Sequence, residues 1–514
     1  MRGGGSAEAL GGVGLQLLDW TILGLYFGSI LWIGWHYRRV DSQKTEFFLA
    51  GRSMSTVAVL LSVIATEISA VTFLGVPSVA FAGDFHYLQF GLGSMAARFV
   101  VAGIFLPAFY KNRCETPYAW LEERFDALAR KTGAVFFLVS RLNASGVRLL
   151  LAAGGIGYFF SWSIPLAVTL FCLLSFAYTS LGGLRAVIRT DAVQAAVFIA
   201  GGIAAGVYLV GELGVPQGWD LVLEEEKFRV FHLDLPEGGL MAVLSDARWF
   251  WIAFVNGLFM TVAALGCDQD LTQRLLSCRT LKEAKRSVVF SGLLGIPVAG
   301  LFLFVGAGLY QFYSGTPPET LPDREFAFFI LNDAPAGLKG LLVAGILAAA
   351  MSSLDSAMNA LSSSVWQDFG KRYRGRADRA GRGYWSLESP RGVVLLAIIL
   401  LWGVAMGFHL LQKVTGENLL WLGFQTAGLT LGPMLGVFSF GLAAKSKRSG
   451  KMVTLSMLGG LGYGILLLVQ LRLGWIPLAW TWVIFLASLL TVLLLAVSPR
   501  SKKAEEIGVA EGGP

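Results

Sequence analysis

Apolar segments long enough to cross a lipid bilayer recur along almost the whole chain. A transmembrane α-helix needs about 20 consecutive, mostly apolar residues. Such windows lie at residues 18–36, 54–82, 86–110, 132–160, 163–181, 191–212, 246–270, 287–312, 337–366, 392–410, 415–443, 452–471 and 475–497. Only 15% of the residues are charged, where a soluble domain has about a quarter. The sequence therefore predicts an all-α integral membrane protein with about 13 transmembrane helices.

The basic residues are distributed in a way that orients these helices. If the N-terminus lies outside, most of the 41 lysines and arginines fall on cytoplasmic segments, as the positive-inside rule requires. Those segments are 38–39, 111–131, 185–189, 274–286, 371–391, 445–451 and 500–503. We therefore predict an extracellular segment 1–17, a membrane domain 18–498 and a cytoplasmic tail 499–514, in the inner (plasma) membrane. Basic residues scattered over separate loops argue against a nucleic-acid partner.

The hydropathy pattern also predicts an internal repeat. Five spans within residues 54–212 are followed by five within 246–443, and an odd number of spans inverts the second unit relative to the first. The first span of the first unit is polar in its middle, at residues 63–72, and the first span of the second unit ends in the polar stretch 266–270. Inverted repeats of this kind form a site at the membrane midplane from broken helices.

One apolar span carries a polar stretch that predicts a cation site, at residues 349–356 (AAMSSLDS). Ala349, Ser352 and Ser353 share one helical face, because residues three and four apart are neighbours. Asp355 and Ser356 follow one turn later. A carboxylate inside a membrane span indicates a functional site, and hard cations prefer oxygen ligands.

Four stretches of the chain resemble the sodium/solute symporter family, which includes sodium/glucose cotransporters and bacterial sialic acid and proline symporters. They are residues 47–54 (FFLAGRSM), 182–194 (GGLRAVIRTDAVQ), 268–274 (DQDLTQR) and 349–356. The resemblance covers roughly residues 18–500. It implies a leucine-transporter-like core of five plus five inverted helices, with one helix before and two after, that works by alternating access.

The resemblance also implies a sodium site. By motif, its ligands here would be the carbonyls of Ala65, Ile68 and Ala349 and the hydroxyls of Ser352 and Ser353. Such neutral oxygens make a hard, weakly charged cage that can release its ion. The alternative is that the two serines are small residues at a tight helix crossing.

A second cation site is implied by the members that carry two sodium ions. Its positions here would be Ser352, Asp355 and Ser356, with Asp191. Asp355 departs from the pattern, because those members have a hydroxyl there. A second Na⁺, a proton relay and a structural ion pair all remain open. Asp191 has a further alternative, a contact with Arg185 or Arg189.

The solute site is less well defined by the sequence. Sugar-transporting members suggest the candidates Glu67, Thr72, Gln89, Asp268, Gln269 and Gln425. Other sugar determinants are missing, since a lysine is replaced by Leu294 and an aromatic pair by Ala264 and Leu265. Arg148 lies inside a span and suits an anionic solute such as sialic acid or another carboxylate, or an internal ion pair with Glu67.

Together these features predict a sodium-coupled symporter that imports a small polar organic solute, either a sugar, sialic acid or another carboxylate. The alternatives are a transporter-like solute sensor and a proton-coupled variant. No catalytic pairing or metal cluster is visible among the residues, so we predict no enzyme and no cofactor other than Na⁺, one ion or two. The expected partners are the solute and the lipid bilayer, with no obligate protein partner evident.

Overall fold

The computed structural model describes residues 14–38, 44–214, 218–236, 238–317, 325–370, 389–415, 420–444 and 446–500, and all their regular elements are helical. The first ten helices are α1 (Leu17–His36), α2 (Lys44–Leu49), α3 (Thr56–Glu67), α4 (Ala70–Ala82), α5 (Tyr87–Val100), α6 (Leu106–Lys111), α7 (Pro117–Arg124), α8 (Ala127–Phe160), α9 (Ile164–Leu213) and α10 (Asp220–Glu224). The next ten are α11 (Leu240–Ser245), α12 (Phe250–Gly266), α13 (Gln269–Leu276), α14 (Leu281–Phe312), α15 (Glu325–Asn332), α16 (Leu338–Ser364), α17 (Pro390–Thr415), α18 (Leu420–Ala443), α19 (Gly450–Arg472) and α20 (Trp482–Val497).

Each predicted apolar window contains helix, and the all-helical prediction is confirmed for the described residues. The number of spans stays a prediction. By length and hydropathy, eight described helices are able to cross a membrane, or up to ten when each bent pair is taken as one span. The 50 residues of α9 count once in that tally.

Two spans are broken where the sequence predicted polar interruptions. The α3–α4 pair bends by 62°, with Ile68 in an extended conformation between the two helices. The α12–α13 pair is interrupted at Cys267 and Asp268. In each case a side chain restarts the helix, because Ser69 accepts from the backbone N–H of Thr72 and Asp268 from that of Asp270. Such capping supplies acceptors for otherwise unsatisfied donors.

A glycine divides α9 into two parts. Gly183 has φ +56° and ψ −155° inside an otherwise helical segment. A Cβ atom there would lie 2.5 Å from the carbonyl oxygen of Phe47, so the position requires both the backbone freedom and the small size of glycine. The second part of α9 consequently leaves in a new direction and carries Asp191 into the protein interior.

Helix α16 lies at the centre of the molecule. It packs against α1, α3, α8, α9, α13 and α17, and 89% of its apolar window is buried. Because a helix buried on all sides has no lipid-facing surface, its polar residues must find partners inside the protein. The inverted relation between residues 54–212 and 246–443 stays a prediction.

Candidate functional site

The break between α3 and α4 exposes backbone oxygens in the protein interior. Because α3 ends at Glu67 and Ile68 is extended, the carbonyls of the last turn, that of Ala65 among them, lack the donors of a continuing helix. Ala65 is fully buried. Unwound backbone of this kind is tolerated in a membrane protein where it lines a cavity.

The polar face of α16 contacts this break. The Thr66 and Ser356 hydroxyls lie 3.2 Å apart and join α3 to α16. One turn earlier on α16, Ser353 donates to the carbonyl oxygen of Ala349 at 3.1 Å. Ser352 points elsewhere, because its hydroxyl donates to Asp191 at 2.7 Å.

A small cavity opens between the break and α16. It is lined by Ser69, Ser145, Arg148, Leu149, Ala152, Ala350, Ser353 and Leu354. Ser69 follows Ile68 directly, so the unwound segment and Ser353 share one space. Arg148 brings a guanidinium to the same cavity, whose other lining residues are hydroxyl-bearing or apolar. The cavity therefore combines neutral oxygens with one fixed positive charge.

Asp191 is neutralised by a buried arginine. The Arg274 guanidinium, which is fully buried, donates to Asp191 at 3.1 Å and to Asp270 at 2.9 Å. Both oxygens of Asp191 are occupied, since Ser62 donates to Oδ2 at 2.5 Å and Ser352 to Oδ1. The structure thus pairs Asp191 with Arg274, and not with Arg185 or Arg189, the alternative that the sequence left open.

Arg274 also contacts Ser356, another of the predicted second-site residues. It donates to Ser356, while Arg141 of α8 donates to the second oxygen of Asp270 and lies 3.9 Å from Asp268. Of the four predicted second-site positions, Asp191 and Ser356 therefore accept from one guanidinium, and Ser352 donates to the same Asp191 carboxylate. The charge that a second cation would supply there is already supplied by a side chain.

Asp355 faces away from this network. It is fully buried on α16, and its Oδ2 accepts from the Tyr178 hydroxyl of α9. Its Oδ1 has no hydrogen-bond partner. The predicted second site is thus divided into a compensated part around Asp191 and a separate part around Asp355.

Glu67 forms an internal ion pair. Both of its oxygens accept from Nη2 of Arg98, at 2.7 and 2.6 Å. Arg98 also donates to the Ser94 carbonyl at 3.2 Å, which fixes the guanidinium between α3 and α5. The ion-pair partner of Glu67 is therefore Arg98, and not Arg148 as the sequence suggested.

Gln89 anchors a loop at one end of the molecule. Its amide nitrogen donates to the Arg248 carbonyl at 2.7 Å, and its oxygen accepts from the backbone N–H of His232 at 3.0 Å. Nearby, Asp84 accepts from the His86 and His232 rings, each at 2.7 Å. With its amide engaged in this way, Gln89 is not brought to the cavity.

The remaining solute candidates have local partners. Thr72 contacts the Ser69 hydroxyl at 3.3 Å, beside the cavity. Asp268 caps α13, and the Gln269 amide donates to Ser363 at 3.1 Å. Gln425 falls within α18, where the backbone alone belongs to the described part and its side chain lies outside it.

Sequence reasoning did not identify Arg274 as the central cation of the network, nor Tyr178 as the partner of Asp355. Arg274 was visible as a charge inside the 268–274 motif, next to an apolar span. The same motif carries Asp268 and Asp270, and this was a usable signal, because buried arginines require carboxylate partners. Tyr178 carried no signal, since tyrosines are common in such spans.

A comparison with protein families identifies the chain. The family model described as "Sodium:solute symporter family" matches residues 47–459. The chain belongs to the sodium:solute symporter family. This symporter is 25% identical over 440 residues to the sodium/sialic acid symporter NanT of Aliivibrio fischeri, covering 83% of each chain. It is 29% identical over 420 residues to the human sodium-coupled monocarboxylate transporter 2, covering 79% of this chain and 64% of the relative.

Solved structures agree with that assignment at the level of the fold. A substrate-bound, outward-open Na⁺-coupled sialic acid symporter superposes with a TM-score of 0.79 at 22% identity, over 95% of this chain and 99% of that chain. The transporter Mhp1 of the nucleobase-cation-symport-1 family gives a TM-score of 0.56 at 13% identity, over 88% and 94%. The predicted leucine-transporter-like fold is thereby confirmed.

Family membership confirms the class of activity that the sequence predicted. The protein is a multi-pass membrane transporter that imports a solute with Na⁺ as the coupling ion, and its relatives are transporters rather than enzymes.

Proposed function

We propose that this symporter imports a small carboxylate solute together with one Na⁺. The observation that carries the proposal is that Arg148 and Ser353 line the same cavity. One is a fixed positive charge and the other a neutral hydroxyl, so an anion and a cation would bind side by side. Two relatives, named as sialic acid and monocarboxylate transporters, carry solutes of the same charge class.

The proposed sodium ligands are the carbonyls of Ala65, Ile68 and Ala349 and the hydroxyl of Ser353, with Ser352 as the fifth predicted ligand. Ser353 supports this assignment because it lines the cavity beside the broken helix. Ser352 would have to leave Asp191, to which it donates at 2.7 Å, before it could face the ion. We therefore expect Ser352 to contribute least to the affinity for Na⁺.

A single sodium ion follows from the compensation of Asp191. Its carboxylate already pairs with Arg274 and accepts from Ser62 and Ser352. A second Na⁺ in the same place would face the guanidinium at close range, and like charges in a low-dielectric interior repel strongly. We expect the sodium dependence of uptake to show a Hill coefficient near one.

Arg148 is proposed to bind the carboxylate of the solute. A guanidinium presents a planar fork that matches a carboxylate in a bidentate contact. Ser69 and Ser145 line the same cavity and offer hydroxyls to the rest of the solute.

The orientation is also proposed, from the distribution of basic residues. We place the N-terminus outside and the C-terminus in the cytoplasm, in the plasma membrane, as the positive-inside rule favours. In that orientation the inward sodium gradient drives solute entry.

Uptake into proteoliposomes tests the proposal, with a panel of sugars, sialic acids, amino acids and monocarboxylates and with Na⁺ or choline outside. We expect Na⁺-dependent uptake of a carboxylate. Arg148→Leu should reduce it at least tenfold, the scale of about 1.5–3 kcal/mol for a hydrogen bond to a charged group. Arg189→Leu, which changes an exposed arginine, serves as the control. Uptake of neutral sugars alone, or full carboxylate uptake by Arg148→Leu, would contradict the assignment.

A further inference from the structure

A groove lies between α12 and α20, near the beginnings of both helices. It is lined by Ile252, Asn256 and Phe259 of α12 and by Thr481, Trp482 and Phe485 at the start of α20. We call it the α12–α20 groove. Residues three and four apart share one helical face, so each helix presents a single face to the groove. At its deeper end the Phe259 and Phe485 rings meet edge to face, with centroids 4.8 Å apart.

The other end of the groove is fixed by a backbone carbonyl of α11. The Leu244 oxygen accepts from Nε1 of Trp482 at 3.0 Å and from the backbone N–H of Ala479 at 3.1 Å. Because α11 immediately precedes α12, this contact ties the beginnings of α12 and α20 together. The walls of the groove are therefore held apart by contacts at both of its ends.

Thr481 brings a buried hydroxyl without a partner to the groove. It is the N-cap residue of α20, where a threonine hydroxyl ordinarily accepts from the helix backbone, but its side chain makes no such bond. Thr481 is 8% exposed, and its oxygen has no hydrogen-bond partner among the described residues. Burying a hydroxyl without a hydrogen bond costs free energy. The group therefore indicates a ligand that supplies the missing partner.

Asn256 is the second polar group of the groove. It is the only side-chain amide of α12, in the apolar sequence FWIAFVNGLFM of residues 250–260. The other polar side chain inside this helix, Thr261, donates to the Ser94 hydroxyl at 2.8 Å. The Asn256 amide has no such partner in the described part of the chain. Two groups able to donate hydrogen bonds thus line one groove between aromatic rings.

Tryptophans place the groove at a membrane surface. Five of them lie at this end of α12 and α20, namely Trp249, Trp251, Trp475, Trp480 and Trp482. Tryptophan is enriched at the level of the lipid headgroups, whose layer is about 5–8 Å thick on each side of the hydrocarbon. Asn256 lies six residues inside α12, a depth of about 9 Å. The groove therefore reaches from the headgroup level to the edge of the hydrocarbon, where the ester groups of a glycerolipid lie.

An exposed apolar stripe continues from the groove along α20. Leu489 and Leu493 follow Phe485 at intervals of four residues, and they are 42% and 52% exposed. From Thr481 to Leu493 the stripe is about 18 Å long, against about 15 Å for the hydrocarbon of one leaflet. A fatty acyl chain that begins at Thr481 would lie along this stripe.

We propose that the α12–α20 groove binds a glycerolipid of the bilayer, whose ester carbonyl accepts hydrogen bonds from Thr481 and Asn256 and whose acyl chain lies along α20. A carbonyl oxygen has two lone pairs and no hydrogen to donate, so it matches two donors. A water molecule could make the same hydrogen bonds, but it gains nothing from the aromatic walls and the leucine stripe. The bound lipid would hold α12, the first half of a broken span, against α20.

Native mass spectrometry of the purified full-length protein tests the proposal, with dioleoyl phosphatidylglycerol and its dioleyl ether analogue in competition. The two lipids share headgroup and chain length, but the ether lacks the carbonyl oxygens. We expect the wild type to retain the ester lipid at least about fivefold more strongly, the equivalent of one neutral hydrogen bond. Thr481→Val keeps the shape of the side chain without its hydroxyl and should remove most of this preference. Asn256→Leu should also reduce the preference, and it serves if Thr481→Val does not fold.

Thr491→Val is the matched control. Thr491 lies on the same helix, and its hydroxyl donates to the Ala487 carbonyl at 2.8 Å rather than to the groove, so this variant should keep the wild-type preference. Equal retention of the two lipids by the wild type would overturn the proposal and favour water as the occupant. An unchanged preference in folded Thr481→Val would overturn it as well. The measurement requires neither Na⁺ nor solute, so its outcome is independent of the proposed function.

Discussion

Replacing Ser353 with alanine removes one oxygen from the cavity side of α16. The Ser353 hydroxyl lines the cavity beside the α3–α4 break, and its hydrogen is directed to the Ala349 carbonyl at 3.1 Å. Its lone pairs consequently face away from that bond and remain available to a cation. If Ser353 is a sodium ligand, the Ser353→Ala variant should bind Na⁺ more weakly while its fold stays intact.

The size of the effect follows from the charge of the ligand. An interaction with a charged group contributes about 1.5–3 kcal/mol, against about 1 kcal/mol for a neutral hydrogen bond. Since each 1.4 kcal/mol is a factor of ten in a dissociation constant, the half-saturating Na⁺ concentration should rise about 10- to 100-fold. A water molecule that replaces the hydroxyl would bring the change to the lower end of that range.

The affinity for Na⁺ can be measured without knowledge of the solute, from the unfolding temperature at increasing Na⁺ concentrations. A ligand that binds the native state raises that temperature. Ser362→Ala is the matched control. Its hydroxyl is likewise buried on α16 and donates to the carbonyl four residues back, that of Met358, at 2.6 Å. Both variants lose the same kind of backbone contact, but only Ser353→Ala should lose Na⁺ affinity. A half-saturating concentration within about twofold of wild type would refute the assignment.

Three further perturbations test the fold around the site. Gly183→Ala should lower the free energy of unfolding by about 1–3 kcal/mol, because its φ of +56° is unfavourable for alanine, whereas Gly211→Ala in the same helix, with nothing within 4 Å, should not. Glu67→Gln should cost towards the lower end of about 3–5 kcal/mol, since Glu67 is 27% exposed, and adding Arg98→Met should restore most of the loss, which a strictly additive double variant would contradict. Burial raises the pKa of Asp84, but the hydrogen bonds that its carboxylate accepts from the His86 backbone and from the His86 and His232 rings outweigh burial, and the net pKa lies below the ordinary value for an aspartic acid. The loop contact should therefore contribute stability above about pH 4 and lose it only below, which tryptophan fluorescence against pH should show in the wild type and not in Asp84→Asn.

The sequence predicted those features that depend on local patterns. Polar residues inside an apolar span indicate where a helix can break, because unwound backbone at membrane depth is tolerated where it is buried in protein or lines a cavity. The breaks at Ile68 and Asp268 are therefore visible as patterns in the sequence itself. The serines of α16 are similarly visible, because helical periodicity alone puts Ser352 and Ser353 next to each other.

The partners of charged residues could not be predicted, because they depend on how distant helices pack. Asp191 was weighed against arginines two and six residues away, yet it pairs with Arg274, 83 residues further along the chain. Glu67 likewise pairs with Arg98 of another helix. Choosing among several arginines for one carboxylate requires the relative positions of α3, α5, α9 and α13, and hydropathy does not contain them.

The buried network ties the proposed sodium site to helices that do not bind the ion. Ser352 joins α16 to Asp191 of α9, while Ser62 joins the same carboxylate to α3, the helix whose broken end would hold Na⁺. Arg274 extends the connection to α13, next to the second broken span. A cation that draws the end of α3 towards Ser353 would therefore change the hydrogen bonds of Asp191 at the same time. Both broken helices share this one carboxylate, so sodium binding at one break has a direct physical route to the other.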